Sequence, residues 1–182
     1  MRSLRKKVAV RRAKRSDGEA VAAMAAALAA HEGKPKGPFT AARFRREGFG
    51  RKAAFRTLVA TAGGEVVGYV LFYPGYDVDT ASQGVHLADL FVVKSARRKG
   101  VGRALMAAAA RECRKARGAW VAWFVQRDNR EAHAFYHALG ARHDADLPMW
   151  IHAASRVPRP NRVSTGASPC RARPSPHRPA RP

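Results

Sequence analysis

Residues 87–93 of this chain form an apolar run, and close behind it stands Arg97-Arg98-Lys99-Gly100-Val101-Gly102-Arg103. The succession reads as a strand, a basic turn carrying two glycines, and a helix that starts near Val101. A strand that feeds a helix through so short a turn fixes a β-turn-α topology. It also gathers several backbone N–H groups and a helix N-terminus at one point, where a phosphate can sit. The turn therefore predicts a phosphate-bearing cofactor before any other part of the chain has been read.

The rest of the chain alternates in the same way. A short first strand over 8–12 precedes an alanine-rich helix, for which Ser16 or Asp17 is the expected cap, with acids in its first turn. Residues 40–47 read as a second helix, capped by Thr40 and followed by Gly48. Residues 57–61, then Gly63-Gly64, then residues 65–73 read as a β-hairpin. Pro74-Gly75 is expected to end that pair, a polar loop to run to Gly84, and another strand to span 85–93. The helix after the basic turn carries Val101, Ala104, Leu105 and Ala108 at the i, i+3, i+4, i+7 spacing of a buried face, and Gly118 stops it. Residues 119–125 are almost all apolar, as in a strand covered on both faces. Asp128 or Asn129 then caps a helix with Ala132, Phe135 and Leu139 on one face, closed by Gly140, and Met149-Trp150-Ile151 reads as a last strand. Strands alternating with helices place the chain in the α/β class, with a mixed sheet. No internal repeat is visible.

Charge narrows the partners less than its size suggests. The formal net charge is +22, but residues 1–15 carry eight Lys/Arg and no acid, and residues 155–182 carry seven Arg and no acid. Removing those fifteen charges leaves about +7 for the middle, which suits a domain binding a polyanionic cofactor. Residues 155–182 hold seven of the eleven prolines and almost no large apolar side chain, so they are read as a disordered Pro/Arg-rich tail. No aromatic residues are interleaved there for base stacking, so specific nucleic-acid binding is not expected. Residues 1–154 are then one domain. The alanine run behind the basic leader superficially resembles a signal peptide, yet Asp17 and Glu19 interrupt its approach. No segment has the apolar length to span a bilayer. Two cysteines, Cys113 and Cys170, make no disulfide framework, and a reducing cytoplasm is the natural reading. No spacing of ligands suggests a metal site.

Arg97-x-x-Gly100-x-Gly102, preceded by Leu87-Ala88-Asp89-Leu90-Phe91-Val92-Val93, resembles the acetyl-CoA motif of the GNAT superfamily of N-acetyltransferases. Asn129-Arg130-Glu131-Ala132-His133-Ala134-Phe135-Tyr136, followed by Leu139-Gly140-Ala141, resembles the second motif of that family. Both stand in the family's order, separated by a helix and a strand. The resemblance covers about residues 8–152, and the Asp-Leu-Phe-Val spacing is most similar to the branch of diamine (spermidine/spermine) N-acetyltransferases. It implies a GNAT-like mixed, mostly antiparallel sheet flanked by helices, with a splayed central parallel strand pair. It also implies acetyl-CoA as co-substrate, a primary amine as acceptor (a polyamine, other small amine or amino-acid-like amine) and direct transfer with no acyl-enzyme. A homodimer is compatible with it.

The resemblance and the chemistry of the turn together name the candidate site. Gly100 and Gly102 lack side chains that would block phosphates, and Arg98, Gly100, Val101, Gly102 and Arg103 offer amide donors. Arg97, Arg98, Lys99 and Arg103 add charge. Strands 85–93 and 119–126 are expected to run parallel and splay at a bulge, which exposes backbone groups around Phe91, Val92 and Val93 for a pantetheine arm to add as an extra strand. Asn129 matches a cofactor-contacting position, and Tyr136, seven residues on, matches the family's general acid. Departure of the CoA thiolate needs a proton, which a phenol can donate. Asp89 is the candidate base or cation contact, although the diamine branch carries a glutamate just before it and this chain has Ala88. His86, His133, His137 and His143 are further bases near neutral pH. Asp77, Asp79 and Asp89 favour a cationic acceptor in a site built from the first two helices, the loop 74–84 and the strand 85–93. Protein amino groups, or cofactor or nucleic-acid binding without catalysis, are the alternatives.

Overall fold

A computed structural model describes residues 8–142. The last strand expected at 149–151, His143 and the basic tail lie outside the described residues. The elements run β1 (Val8–Arg12), α1 (Gly18–His31), α2 (Ala41–Glu47), β2 (Arg56–Ala62), β3 (Glu65–Asp77), β4 (Ser82–Val92), α3 (Val101–Lys115), β5 (Trp120–Trp123) and α4 (Arg130–His137). Among the described residues the sheet has five strands in the order β1-β2-β3-β4-β5, antiparallel throughout except for the parallel β4–β5 pair. This is the mixed, mostly antiparallel sheet expected from the sequence.

Side-chain alternation sorts the strands onto two cores. Leu58 and Ala60 of β2 and Val70 and Phe72 of β3 pack against Val101, Leu105 and Ala109 of α3. Their odd-numbered neighbours Val59, Tyr69 and Leu71 join Val21, Met24 and Phe44 of α1 and α2 on the opposite face. On β4 the parity changes along the strand. Val85 and Leu87 belong to the α3 core, whereas Phe91 belongs to the α1–α2 core. The cause is a bulge at Ala88: Phe72 pairs with Leu87 and Leu71 with Asp89, so one residue of β4 is left over. An extra residue reverses the facing of all that follow it. Without it, Asp89 would point into the α3 core.

Three expectations need correction. The β2–β3 pair does end at Phe72, just before Pro74-Gly75, but β3 itself runs on to Asp77 and β4 begins at Ser82, leaving a tight turn in place of the polar loop. Past Phe72, β3 has lost its β2 partner, and on such an open edge proline's missing N–H costs nothing. The strand expected over 119–125 is ordered as strand only over Trp120–Trp123, and Phe124 is 63 % exposed, so this segment is not covered on both faces. Asp17 precedes α1 but does not cap it. Its carboxylate accepts from both Arg11 guanidinium nitrogens at 2.7 and 2.9 Å and from the Lys14 N–H at 2.6 Å. Thr40 and Asn129 do cap α2 and α4, accepting from the N–H groups of Arg43 at 3.2 Å and Ala132 at 3.0 Å.

The parallel pair is seated by one close approach. A Cβ at Gly84 would lie 2.0 Å from the Trp120 ring, so the indole of β5 lies directly over the glycine of β4. Gly84→Ala is therefore expected to cost about 2 kcal/mol or more, since overpacking a fitted site forces side chains or backbone to move. Urea unfolding of the two proteins checks it.

Candidate active site

The sheet opens where the site lies. Parallel pairing between β4 and β5 ends at Leu87 and Trp123, one residue before the Ala88 bulge. Beyond that point β4 has β3 on one side and a gap on the other. Pairing parity decides which backbone groups face the gap. The Val93 N–H donates to the Val67 carbonyl at 3.0 Å, so Val93 and, two residues earlier, Phe91 turn their backbone groups towards β3. Leu90 and Val92 turn theirs towards the gap. Of the three residues expected to present backbone to a ligand, Val92 faces the gap while Phe91 and Val93 face β3, and Leu90 joins Val92, because the alternation could be counted only once a pairing partner was known.

A cleft of about 800 Å³ occupies this gap. Of the residues expected to hold a cofactor, Phe91, Val92, Arg97, Arg98, Gly100, Val101, Gly102, Arg103 and Asn129 line it, together with Tyr136; Val93 and Lys99 do not. Val93 packs into the cores, and the Lys99 ammonium donates to the Ser95 carbonyl at 2.8 Å. Leu90, His31, Glu131 and Phe135 also line the cleft and were not singled out from sequence. Leu90 follows from strand parity. Glu131 carries a weaker signal, an acid in the first turn of a helix beside a basic turn.

The turn itself is a left-handed step into α3. Gly100 has φ +80°, and a Cβ placed there would meet nothing within 4 Å. Arg98 takes φ +60° two residues earlier. Among the described residues no side chain caps α3, whose first N–H groups have no partner within the helix. Gly102 does something else. A Cβ on it would stand 3.1 Å from the Phe135 ring, so its bare Cα lets α4 close onto α3 instead of clearing room for a ligand.

The charges are organised rather than loose. Arg97 Nε donates to the Val92 carbonyl at 3.1 Å, its Nη1 stands 3.7 Å from Glu131, and the guanidinium lies 5.7 Å from the Phe91 ring centroid. Arg103 donates to the Ala138 carbonyl at the end of α4 at 3.1 Å. On the far wall, Tyr136 stacks obliquely on Trp123 with ring centroids 4.7 Å apart, and burial pushes its phenol up to about 12. Its proton is secure at neutral pH.

Asp89 opens onto a different space. It lines a smaller pocket of about 210 Å³ with Ala25, Leu28, Glu32, Lys34 and Phe39. Leu28 borders both pockets. The Asp89 carboxylate accepts from the Tyr69 hydroxyl at 2.8 Å, and burial holds it above the ordinary carboxylate range. Asp77 lines neither pocket; its oxygens accept from Asp79 N–H and the Thr80 hydroxyl at 2.9 and 2.8 Å and are spent on the hairpin turn. His86 also lies outside both pockets, stacked on Tyr73 and edge-on to Trp120. His133 contacts the Gln126 carbonyl at 3.1 Å. Among the described residues no group of three or more His, Cys, Asp and Glu is placed to hold a metal, and no helix is long and apolar enough to cross a membrane.

Residues 22–141 match the acetyltransferase (GNAT) family, and that span contains the gap, the turn, α3 and α4. The chain belongs to the GNAT family. It is 39 % identical over 77 residues to an L-ornithine N5-acetyltransferase of Arabidopsis thaliana, a match spanning 42 % of this chain and 34 % of that protein. Solved structures share the GNAT fold over most of the chain. A possible acetyltransferase from Clostridium difficile 630 superposes with a TM-score of 0.68 at 20 % identity, covering 80 % of this chain and 97 % of that one. An aminoglycoside acetyltransferase from an uncultured soil metagenomic sample superposes with a TM-score of 0.61 at 26 % identity, covering 81 % and 99 %.

Proposed function

We propose that the protein is an acetyl-CoA-dependent N-acetyltransferase that transfers acetyl directly to a small primary amine. The observation that carries this reading is the opening of the sheet past Leu87 and Trp123. It brings a large cleft with an uncapped helix N-terminus and a half-buried phenol to one side of β4. Asp89, in a small acid-bearing pocket, is on the same strand. Residues 1–154 would form the catalytic domain and 155–182 a basic tail.

The residues fit acetyl-CoA. A pyrophosphate asks for backbone N–H donors, positive charge and room, and the left-handed Gly100, the free end of α3 and Arg98 answer each requirement. The backbone groups of Leu90 and the N–H of Val92 offer an open edge to an amide-bearing arm, while Arg97 already engages the Val92 carbonyl. Acetyl-CoA supplies an activated acetyl thioester and a thiol leaving group. The protein's own part is positioning and proton management. Asp89 accepts the proton of the incoming ammonium, and the Tyr136 hydroxyl donates to the departing sulfur. The same partial burial that raises Tyr136 also raises a thiol, which keeps that donation within reach.

The small pocket supports an amino-acid-like acceptor. Its apolar wall suits an aliphatic stem, Asp89 suits the amine, and the Glu32–Lys34 pair, 2.7 Å apart, offers both signs of charge to a zwitterionic head. The likeness to an ornithine N5-acetyltransferase points the same way. The test is release of free thiol from acetyl-CoA in the presence of L-ornithine, simple diamines and monoamines. Release is expected with amines, fastest with the diamino acid. CoA binding with no thiol above background for any acceptor would overturn the reading.

A further inference from the structure

A tyrosine in the middle of a buried aliphatic strand is an expense unless its hydroxyl is used, because a phenol cut off from water needs a partner. Tyr69 of β3 is fully buried among Val59, Leu71, Val21 and Phe44. Its hydroxyl reaches Asp89 Oδ2 at 2.8 Å, across the β3–β4 pair and on the face to which the Ala88 bulge has turned the carboxylate. The remaining charged groups that bear on Asp89 are Glu32 and Lys34, just past α1. The α1 side of the pocket is otherwise alanine and leucine, with Phe39 beside it. Tyr69 is thus the hydrogen-bond donor that holds Asp89 among the described residues.

We propose that Tyr69 is a positioning residue for the acetyl transfer, fixing Asp89 so that Oδ2 is engaged by the phenol and Oδ1 is left for the acceptor's ammonium. The proposal rests on Asp89 acting as the proton acceptor. A carboxylate at the end of a short side chain has two rotatable bonds, and the phenol, itself clamped in the core, removes that freedom before substrate arrives. The phenol is also a durable donor, since burial and the neighbouring carboxylate drive its own ionisation far out of reach. Its donation favours the ionised form of Asp89, opposing the burial and the Glu32 charge that favour the protonated form; Lys34 acts in the same sense as Tyr69.

The sign of the test follows. Deleting the phenol oxygen raises Asp89 further, so the acid limb of kcat/KM moves to higher pH. The expected displacement in Tyr69→Phe is about one pH unit, the size of one hydrogen bond to a charged group. A fall of about tenfold in kcat should accompany it, with acetyl-CoA affinity unchanged. The assay uses acetyl-CoA with L-ornithine and the other amines named above. A purely structural tyrosine would lower the melting temperature and leave the limb where it was. An unmoved limb in Tyr69→Phe, with Asp89→Asn inactive, overturns the positioning role and leaves Asp89 as the base. Full activity in Asp89→Asn, or no turnover by the wild-type protein with any amine, overturns the reading beneath it and this proposal together. Should Tyr69→Phe fail to fold, 3-fluorotyrosine placed at position 69 keeps the ring and strengthens the donor. The limb must then move to lower pH, and a fixed limb overturns the proposal. Titration of the 13C-labelled Asp89 carboxyl in wild type and Tyr69→Phe gives the same shift without turnover, with Asp89→Asn identifying the signal.

Discussion

Gly100→Glu weakens CoA binding by at least about 100-fold while the protein stays folded. Two facts about the position set this expectation. A side chain at Gly100 meets no protein atom within 4 Å of its Cβ, so the glutamate is accommodated and projects into the cleft. The backbone sits at φ +80°, where a non-glycine residue costs about 1–2 kcal/mol. A carboxylate at a helix N-terminus returns about 0.3–1 kcal/mol of that, so the fold survives. Binding fares worse. A carboxylate about 4 Å from a phosphate opposes it by about 4 kcal/mol at the effective dielectric of a protein surface, and each 1.4 kcal/mol is tenfold in affinity. Gly100→Ala, carrying the strain without the charge, separates the two contributions and should bind CoA nearly as the wild type does. Calorimetric titration of CoA into the three proteins measures it. Equal affinity for Gly100→Glu and wild type would mean that the phosphates lie elsewhere.

Tyr136→Phe lowers kcat by about 100- to 1,000-fold and leaves CoA affinity unchanged, the range in which removal of a positioned general acid falls. The variant is conservative in packing. The ring rests on Trp123 at 4.7 Å and on Phe135 at 5.1 Å between centroids, and phenylalanine keeps both contacts. What it loses is a proton held on the oxygen by burial, with the phenol pushed up to about 12. Because Tyr136 must be protonated to act, its alkaline limb lies near that value, and the wild-type rate stays level through neutral and mildly alkaline pH. A kcat within about twofold of wild type would mean that the leaving thiolate takes its proton from solvent.

Local chemistry made much of the fold legible. Thr40 and Asn129 carry caps that any helix start of that composition would use, and the strand 8–12 has the extent read from its sequence. The basic turn announced a helix starting near Val101 before any tertiary contact was known. What escaped depends on partners distant in sequence. A bulge in this strand is implied by the resemblance, but its place at Ala88 has no signature of its own, since alanine fits a regular strand equally well, and only the pairing of Leu71 with Asp89 and Phe72 with Leu87 locates it. That single residue decides which face Asp89 takes and which backbone groups meet the gap. The hydrogen bond between Tyr69 and Asp89 joins residues on neighbouring strands, and the one hint of it in the sequence is a phenol within an aliphatic run. Pro74 misled for the opposite reason. A local rule against proline in strands yields where the neighbouring strand has already ended. The turn's charges were counted correctly but not their partners, and Arg97 is engaged with Val92 and Glu131.

The central claim is that the cleft and the small pocket serve one direct transfer. Its most direct test is a single turnover, with protein in excess over acetyl-CoA and the best amine of the panel present. Free thiol and N-acetylated amine should appear together in equal amounts, with the intact mass of the protein unchanged throughout. An acetyl group retained on the protein, or CoA bound with no N-acetylated product, would contradict it.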